Sequence, residues 1–254
     1  MNSILLAAQR AYAETDFYKL LYKNSPVDLN DIPFINHAHY HQAQGVLDCI
    51  TDRSEVSGAF AAYHRNVRKF PFTVVESDTE QKHRHRRFIY SLEQIGVRLD
   101  SPKKFLLLAD DSRGPFAGEL ATCLAWEHHQ ASITYIHGSK EQLSEDIRSY
   151  DPDYILNVSG LPSDLDRFKA NYEIITIHHV DYLIPEVDQL LLACDEIGVF
   201  AFRKKTSDSF SYDRENLSIE INPASQLPAI TTINFGISPF IRYCPAQNII
   251  NFDV

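Results

Sequence analysis

The chain has 254 residues, of which 44% are hydrophobic and 23% charged, a composition typical of one globular domain and unlike that of a disordered chain. Its 34 acidic and 24 basic residues give a formal net charge of -10, and a field of this sign repels nucleic acid and anionic lipid. The sequence has neither the roughly 20 apolar residues that cross a bilayer nor a basic, apolar leader at its start, so we expect a cytoplasmic protein without nucleic-acid or membrane partners.

Residues 1–52 predict helices and loops. Apolar residues recur at helical spacing between Ser3 and Tyr22, with Thr15 and Asp16 as a cap in the middle, which predicts one or two helices. Prolines and a histidine-rich run then predict loops and short helices up to residue 52.

Residues 53–205 alternate short apolar strands with helices. We predict strands at Phe72–Val75, Phe105–Leu108, Ile133–Ile136, Tyr154–Val158, Ile174–Ile177 and Glu196–Phe200. We predict helices at Thr79–Gly96, Phe116–His128, Lys140–Tyr150, Ser163–Ala170 and Ile184–Cys194. Because each parallel crossover returns along the sheet through a helix, this order predicts an α/β core with a mainly parallel sheet flanked by helices.

Residues 206–254 have a different pattern. Three apolar segments, Leu217–Ile221, Ala229–Phe235 and Phe240–Tyr243, are separated by proline and polar turns. They predict a C-terminal antiparallel β portion that packs with the two preceding segments as one compact unit.

Several motifs, taken in order, resemble phenylacetate-CoA ligase-like members of the adenylate-forming superfamily. They are the opening AYAETDFY, the strand FTVV with the helix start SDTE, the segment GPFAG before a helix, the strand ASITYI, and the closing pair LPAITT and SPFIRY. The closing pair is similar to the family's "GELVITT…PLIRYRTGD". The resemblance covers most of the chain and implies an α/β fold with a crevice that holds a nucleotide and an acyl group.

The departures from the family pattern are as informative as the matches. The resemblance implies a phosphate loop rich in glycine, serine and threonine, but residues 63–71 read YHRNVRKFP, and their bulky side chains would keep phosphate oxygens from backbone N–H groups. The segment matching the family's "YGxTE" keeps only Gly198, and Gln247 stands where the family's ribose-binding aspartate falls. The chain stops at Val254, where the family's domain with its catalytic lysine would begin. We therefore expect a truncated, degenerate relative that does not make acyl-adenylates.

Candidate site residues follow from the expected crevice, because ligands of parallel sheets bind outside the carboxyl ends of the strands. An apolar strand runs into His178, His179 and Asp181, a set in which a histidine oriented by the aspartate could act as a general base. A structural role, with the histidines bonded to backbone, is the competing interpretation. Further candidates for ligand binding are Tyr63, His64, Arg65, Asn157, Ser159, Gly160, Gly198 and Arg242. A second polar rim, residues 110–113, follows the Phe105 strand.

Metal binding and nucleophilic catalysis find little support in the sequence. The four cysteines are scattered without a close pair and predict buried apolar groups. His37, His39 and His41 would share one side of a strand, but such a trio on a polar loop is more typical of a solvent-facing segment. The cationic run with His83 and His85 predicts a solvated helix face or a partner contact. The sequence has no G-x-S-x-G elbow, and we expect no cofactor and no metal.

Three functional hypotheses remain open. The first is a binding or scaffolding subunit of a biosynthetic pathway, a pseudoenzyme that holds an aryl or acyl compound and pairs with a carrier protein, a ligase or a second copy of itself. The second is a repurposed transferase, cyclase or hydrolase that uses His178, His179 or Asp181 on such a compound. The third is acid activation with the lysine domain supplied by another polypeptide.

Overall fold

The computed structural model describes residues 2–40, 43, 45–62, 72–110, 113–136, 140–158, 165–180, 187–205, 207–245, 250 and 252. The helices are α1 (Ser3–Glu14), α2 (Asp16–Tyr22), α3 (His37–Tyr40), α4 (Asp78–Gln94), α5 (Gly114–Thr122) and α6 (Lys140–Tyr150), and a π-helical turn, Cys123–Glu127, continues α5. The strands are β1 (Gly58–Ala62), β2 (Phe72–Glu76), β3 (Lys104–Ala109), β4 (Ala131–Ile136), β5 (Tyr154–Asn157), β6 (Glu173–His179), β7 (Leu190–Cys194), β8 (Gly198–Arg203), β9 (Leu217–Ile221) and β10 (Pro228–Thr232).

A six-stranded sheet forms the centre of the fold, in the order β4-β3-β5-β6-β7-β8. The first five strands in this order are parallel to their neighbours, and β8 pairs antiparallel with β7. The predicted α/β class with a mainly parallel sheet is therefore confirmed. The reversal at β8 follows from the short turn of residues 195–197, which leaves no room for a crossover helix.

Helices cover both faces of this sheet, as the side chains of β3, which point alternately to one face and the other, show. Leu107 and Ala109 pack with residues of α4 and α5, whereas Leu106 and Leu108 pack with Leu143 of α6 on the opposite face. The buried stretch of β3 is apolar without interruption because both of its faces are covered.

A third apolar cluster joins the beginning of the chain to its last described segments. It contains Ile4 and Tyr18 from the first two helices, Leu192 of β7, and Ile230 and Tyr243 from the C-terminal part. The hairpins β1–β2 and β9–β10 are antiparallel, as predicted for the C-terminal pair. Residues from all three predicted segments thus share one core, while the segment boundaries themselves stay a prediction.

Several local predictions are confirmed. Thr15 separates α1 from α2 and caps α2, because its side chain accepts a hydrogen bond from the Tyr18 N–H at 3.2 Å. Helix α6 has the predicted bounds, and β9 coincides with the predicted strand.

Other local predictions are wrong. The predicted helix Ile184–Cys194 is strand β7 over Leu190–Cys194, since a short, fully apolar run suits a buried strand as well as a buried helix. Described residues of the predicted helix Ser163–Ala170 form a 3-10 turn, Asp166–Phe168. The predicted strand Phe240–Tyr243 is not continuous. Tyr243 forms single bridges, the Phe240 carbonyl oxygen accepts from the Thr232 N–H at 2.8 Å, and the positive φ of 50° at Arg242 interrupts the extended backbone.

Two histidine-rich segments also differ from expectation. Residues 37–40 are helical, so His37 and His39 do not share one side as they would on a strand, and His37 is buried. His41 lies outside the described residues. On α4 the cationic run is not a solvated face, because Arg84, His85 and Arg87 are buried and their charges meet carboxylates and carbonyl oxygens.

None of the helices within the described ranges is long and apolar enough to cross a membrane.

Candidate functional site

Polar side chains meet at the carboxyl ends of the parallel strands. Asp110 follows β3, Asn157 ends β5, His178 and His179 end β6, and Asp195 follows β7. Asn157 pairs with Thr176, so β6 projects three residues beyond the end of β5 and carries the two histidines outward. His179 in turn pairs with Ala193 of β7, which places Asp195 beside it.

His179, Asp195, Arg113 and Phe116 form what we call the strand-end cluster. The Nδ1 atom of His179 lies 3.3 Å from Oδ1 of Asp195, and the same oxygen accepts a hydrogen bond from Nη1 of Arg113 at 2.8 Å. The Phe116 ring meets the imidazole edge to face, with ring centroids 4.8 Å apart. Three separate elements, β6, the turn after β7 and the start of α5, therefore build one site.

Backbone contacts hold Asp195 in place from the other side. Its carbonyl oxygen accepts a hydrogen bond from Nη1 of Arg84 at 2.7 Å. Arg113, which pairs with the Asp195 carboxylate, is itself held by Asp110, because its backbone N–H donates to Oδ1 of Asp110 at 2.9 Å. His179 is 4% exposed and the Asp195 side chain 12%, so the charges interact where water screens them little. A charge-assisted pair of this kind fixes the orientation of the imidazole.

The cluster has a defined hydrogen-bonding chemistry. A carboxylate beside Nδ1 accepts a hydrogen bond from an N–H at that nitrogen, so the neutral imidazole of His179 carries its proton on Nδ1 and has its acceptor at Nε2. Arg113 supplies a permanent cation and Phe116 an apolar ring face. Such a set can orient a ligand with a polar head and an aromatic or aliphatic body.

The structure describes five of the eleven residues predicted for the site: Asn157, His178, His179, Gly198 and Arg242. His178, His179 and Asn157 lie at neighbouring strand ends, as expected, and all three are buried. Asp181, Ser159, Gly160, Tyr63, His64 and Arg65 lie outside the described residues, and their roles stay predictions. The carboxylate found on His179 is that of Asp195.

Asn157 also borders a cleft of about 310 Å³ on the sheet. Lys169 and Lys205 line this cleft together with Thr176 and Tyr172. The cleft extends the polar surface beside β5 and β6. Its two lysines are matched by Glu173 and Asp188, and Asp188 pairs with Lys205 at 3.4 Å, so the lining carries both signs of charge.

Gly198 and Arg242 have contacts that account for their positions in the fold. Gly198 begins β8 with a φ of 82°, and a Cβ there would lie 3.4 Å from Cγ of Arg84. Arg242 donates to the carbonyl oxygens of Leu29 at 2.6 Å and Ile32 at 2.7 Å, and its Nε lies 2.8 Å from Oε1 of Glu220. Their predicted ligand contacts stay predictions.

Sequence reasoning missed the acidic pair Asp195 and Glu196. Glu196 is buried, its Oε1 accepts the Tyr243 hydroxyl at 2.6 Å, and burial beside this carboxylate raises the pKa of Tyr243 above its ordinary value. The pair directly follows the apolar run Leu190–Cys194, so identifying that run as a strand would have placed both acids at the carboxyl edge.

Solved structures of CoA ligases are similar to this chain in fold. The chain matches 2-hydroxyisobutyryl-CoA ligase in an open conformation, in complex with 2-HIB-AMP and CoA, with a TM-score of 0.73 and 11% identity over 96% of this chain and 67% of that one. The postadenylation state of the same ligase, in complex with R3-HIB-AMP, matches with a TM-score of 0.71 and 12% identity over 95% of this chain and 61% of that one. An o-succinylbenzoate CoA synthetase from Bacillus subtilis matches at a TM-score of 0.50, with 9% identity over 95% of this chain and 56% of that one.

A scan of protein-family models and a search of curated proteins found no match to this sequence. The chain spans about three fifths to two thirds of the length of the hydroxyisobutyryl ligase chains. At such low identity the likeness shows the fold alone, and it confirms the resemblance to adenylate-forming ligases at that level.

Proposed function

We propose that this protein binds a small aryl or acyl compound in the crevice at the carboxyl ends of its parallel strands and does not activate that compound as an acyl-adenylate. The observation that carries the proposal is the strand-end cluster, in which Arg113 and His179 converge on one oxygen of Asp195 beside the ring of Phe116. The fold supports it, because the hydroxyisobutyryl ligase structures hold an acyl-AMP and CoA.

The chemistry of the cluster favours a ligand with two parts. Arg113 presents N–H donors that suit a carboxylate, thioester or phenol oxygen, and the neutral imidazole of His179 has its acceptor at Nε2, which suits a hydroxyl or N–H group of a ligand. The Phe116 ring faces an apolar body and adds contact area without long flexible side chains. An aryl or acyl compound with one oxygen-bearing head group combines both features.

The sequence argues against adenylation chemistry. Triphosphate binding requires phosphate oxygens to approach backbone N–H groups, which glycine, serine and threonine permit. Residues 63–71 contain none of these three residue types and instead carry bulky and basic side chains. Gln247 in place of an aspartate removes the paired acceptors that would hold ribose hydroxyls.

A second candidate function is catalysis on the same ligand. The contact of 3.3 Å between Nδ1 of His179 and Oδ1 of Asp195 resembles the arrangement that orients a general base, and it favours a transferase, cyclase or hydrolase reaction. Because Arg113 uses the same carboxylate oxygen, Asp195 is shared between orienting the imidazole and neutralising a cation. We therefore place binding first and catalysis second.

Titration calorimetry tests the binding proposal. Benzoate, phenylacetate, butyrate and their CoA thioesters serve as probes, with Mg-ATP titrated separately. We expect at least one probe to bind, and His179→Gln and Arg113→Gln to weaken its binding at least tenfold. His129→Asn is the matched control, since this exposed histidine precedes β4 at the opposite edge of the sheet and should leave affinity unchanged.

Pyrophosphate release separates the hypotheses. Release that depends on both Mg-ATP and a carboxylic acid would show adenylation and overturn the proposal. If the protein turns over a bound thioester and His179→Gln abolishes that turnover, the result would favour catalysis over binding as the function. The absence of binding by all probes at millimolar concentration would remove the aryl or acyl ligand class.

The proposed partners need their own measurement. A scaffolding role predicts a stable complex with an acyl carrier protein, an active ligase or a second copy of the chain. Sedimentation velocity of the protein alone, and then mixed with a carrier protein, detects each of these. If the protein stays monomeric at all concentrations and does not bind the carrier protein, the scaffolding role is excluded and only ligand binding remains.

A further inference from the structure

We propose that His85, Cys123 and Glu127 bind a divalent transition metal ion, with Zn²⁺ as the ion that the donor set fits best. His85 lies on α4, and the other two residues begin and end the π-helical turn after α5. One ligand atom from each residue lies within 4.8 Å of the other two. We call this group the α4–α5 metal cluster.

The local backbone explains why these residues face one another. Cys123 and Glu127 are four residues apart, so their side chains project from the same side of the turn. π-helical turns are rare, and they occur frequently at functional sites. Here the turn presents a thiol and a carboxylate towards the buried side of α4.

His85 is the centre of the cluster. It is 4% exposed, its Nδ1 lies 2.5 Å from Oε1 of Glu127, and its Nε2 lies 3.8 Å from Oε1 of Glu119. Within the described part of the chain, no hydrogen-bond partner satisfies Nε2. A buried imidazole between two carboxylates lies in a negative field that favours an added cation.

The charges around the cluster can balance a divalent cation. Glu119 is already engaged by Arg84 through two hydrogen bonds, at 2.8 Å and 2.6 Å. Glu127 has His85 as its described partner, and the Cys123 sulfur becomes anionic on binding metal. One carboxylate and one thiolate neutralise a divalent ion, with the imidazole as the third donor.

The donor set selects the class of metal. Nitrogen, sulfur and one carboxylate oxygen match Zn²⁺ in sites with three protein ligands and a fourth open position, whereas Mg²⁺ and Ca²⁺ prefer oxygen alone. Metal–ligand bonds of about 2.0–2.3 Å require the donor atoms to lie roughly 3.3–3.8 Å apart, so the His85 to Glu127 distance must open slightly. The Glu127 side chain is 46% exposed, which lets it move and gives the ion a path from solvent.

The position of the cluster indicates its role. The π-helical turn leads to the beginning of β4, so Cys123 and Glu127 lie towards the amino end of that strand, whereas the strand-end cluster is built at the carboxyl ends. A bound ion would link α4 to the end of α5 on one face of the sheet. We therefore expect it to stabilise the fold without entering the proposed ligand chemistry, and the two proposals fail independently.

Spectroscopy of the cobalt-substituted protein tests the site directly. We expect one Co²⁺ per chain, with a thiolate-to-metal charge-transfer band, and displacement of Co²⁺ by Zn²⁺ should abolish the spectrum. Trp126 is the sole tryptophan and adjoins Glu127, so its fluorescence should change with the same stoichiometry. The chelator-treated protein should unfold at a higher temperature once Zn²⁺ is added.

Variants decide which residues hold the ion. His85→Gln, Cys123→Ser and Glu127→Gln should each weaken Co²⁺ binding by roughly a hundredfold. Cys49→Ser and His83→Gln are the matched controls and should bind as the unchanged protein does. Glu127→Gln changes an exposed side chain and so tests the site even if a buried variant fails to fold. Failure to bind Co²⁺, a spectrum without the charge-transfer band, or equal affinity in Glu127→Gln would overturn the proposal.

Discussion

Arg84 on α4 and Glu119 on α5 form a two-pronged ion pair that joins the two helices over one face of the sheet. Nε of Arg84 donates to Oε1 at 2.8 Å and Nη2 to Oε2 at 2.6 Å. The arginine side chain is 5% exposed and the glutamate 22%. This pair, together with the carbonyl oxygen of Asp195, explains how a helix rich in cations can lie against the core.

Removing one partner of this pair should be costly. Glu119→Gln leaves the Arg84 charge buried without its main counter-ion, so we expect the free energy of unfolding to fall by about 2–4 kcal/mol. Urea denaturation measures the change. Glu14→Gln is the control, because its pair with Arg10 is exposed and should contribute about 0.5 kcal/mol or less. Equal losses in the two variants would show that the buried pair contributes no more than an exposed one.

Gly236 lies against the N-terminal cap of α4. A Cβ at this position would meet Oε1 of Glu80 at 2.7 Å and Oγ of Ser77 at 2.7 Å, the two side chains that form the capping box. We expect Gly236→Ala to destabilise the protein by about 1–3 kcal/mol, because the cap must move. Gly118→Ala lies in α5 with open space around it and should stabilise by about 0.5–1 kcal/mol. Thermal unfolding of both variants gives the comparison, and a shift of the same sign in both would contradict it.

Asp195 should be important for stability even without ligand. Asp195→Asn removes the negative charge that faces Arg113 and His179 and leaves the Arg113 cation buried without its carboxylate, so we expect a loss of about 2–3 kcal/mol in urea denaturation. Asp188→Asn is the comparison, since the exposed pair with Lys205 should lose about 0.5 kcal/mol or less. If Asp195→Asn unfolds at the same urea concentration as the original chain, the strand-end cluster does not hold the fold together.

Buried tyrosines should make the protein sensitive to alkali. Burial raises the pKa of Tyr18, Tyr40 and Tyr243 above the ordinary value of 10. The folded state therefore keeps protons that the unfolded chain releases above pH 10, so this stability is complete below pH 10 and is lost as the pH rises. Each of these tyrosines should lower the free energy of unfolding by about 1.4 kcal/mol for each pH unit in that range.

Urea denaturation at several pH values between about 9 and 11 measures this slope. Buried thiols, such as Cys194 with its raised pKa, contribute in the same direction from a lower pH. Tyr40→Phe isolates one phenol, because the variant should lose less stability per pH unit than the original chain. An unchanged slope would show that Tyr40 ionises alike in both states.

The fold class was predictable because the strands and helices of the central sheet alternate clearly. Lys140–Tyr150 combines a helical period with polar flanks, and the structure has the same bounds. Leu190–Cys194 is apolar at every position, and such a run has no period that separates a strand from a helix. Because of that ambiguity Asp195 was not predicted as a site residue. An acidic residue after a helix does not indicate a site, whereas one after a parallel strand lies at the edge where ligands bind.

The candidate sites needed contacts that no sequence pattern contains. His85 stands in a cationic run that predicts a solvated face, and only the packing of α4 on α5 brings Glu119 and Glu127 to it. His179 was identified because the strand before it is strongly apolar. Its carboxylate partner comes from the next strand in the sheet, and sequence distance alone does not reveal that neighbour.

The shared core of the first and last described segments has a consequence for synthesis of the protein. The Tyr18 hydroxyl accepts a hydrogen bond from the Ile241 N–H, and Ile35 pairs with Tyr243. Until residue 243 has left the exit tunnel, α1 and α2 lack the C-terminal part of the native surface that they cover, so their packing stays incomplete. A nascent chain stalled before that point should leave its amino-terminal helices open to proteases and chaperones.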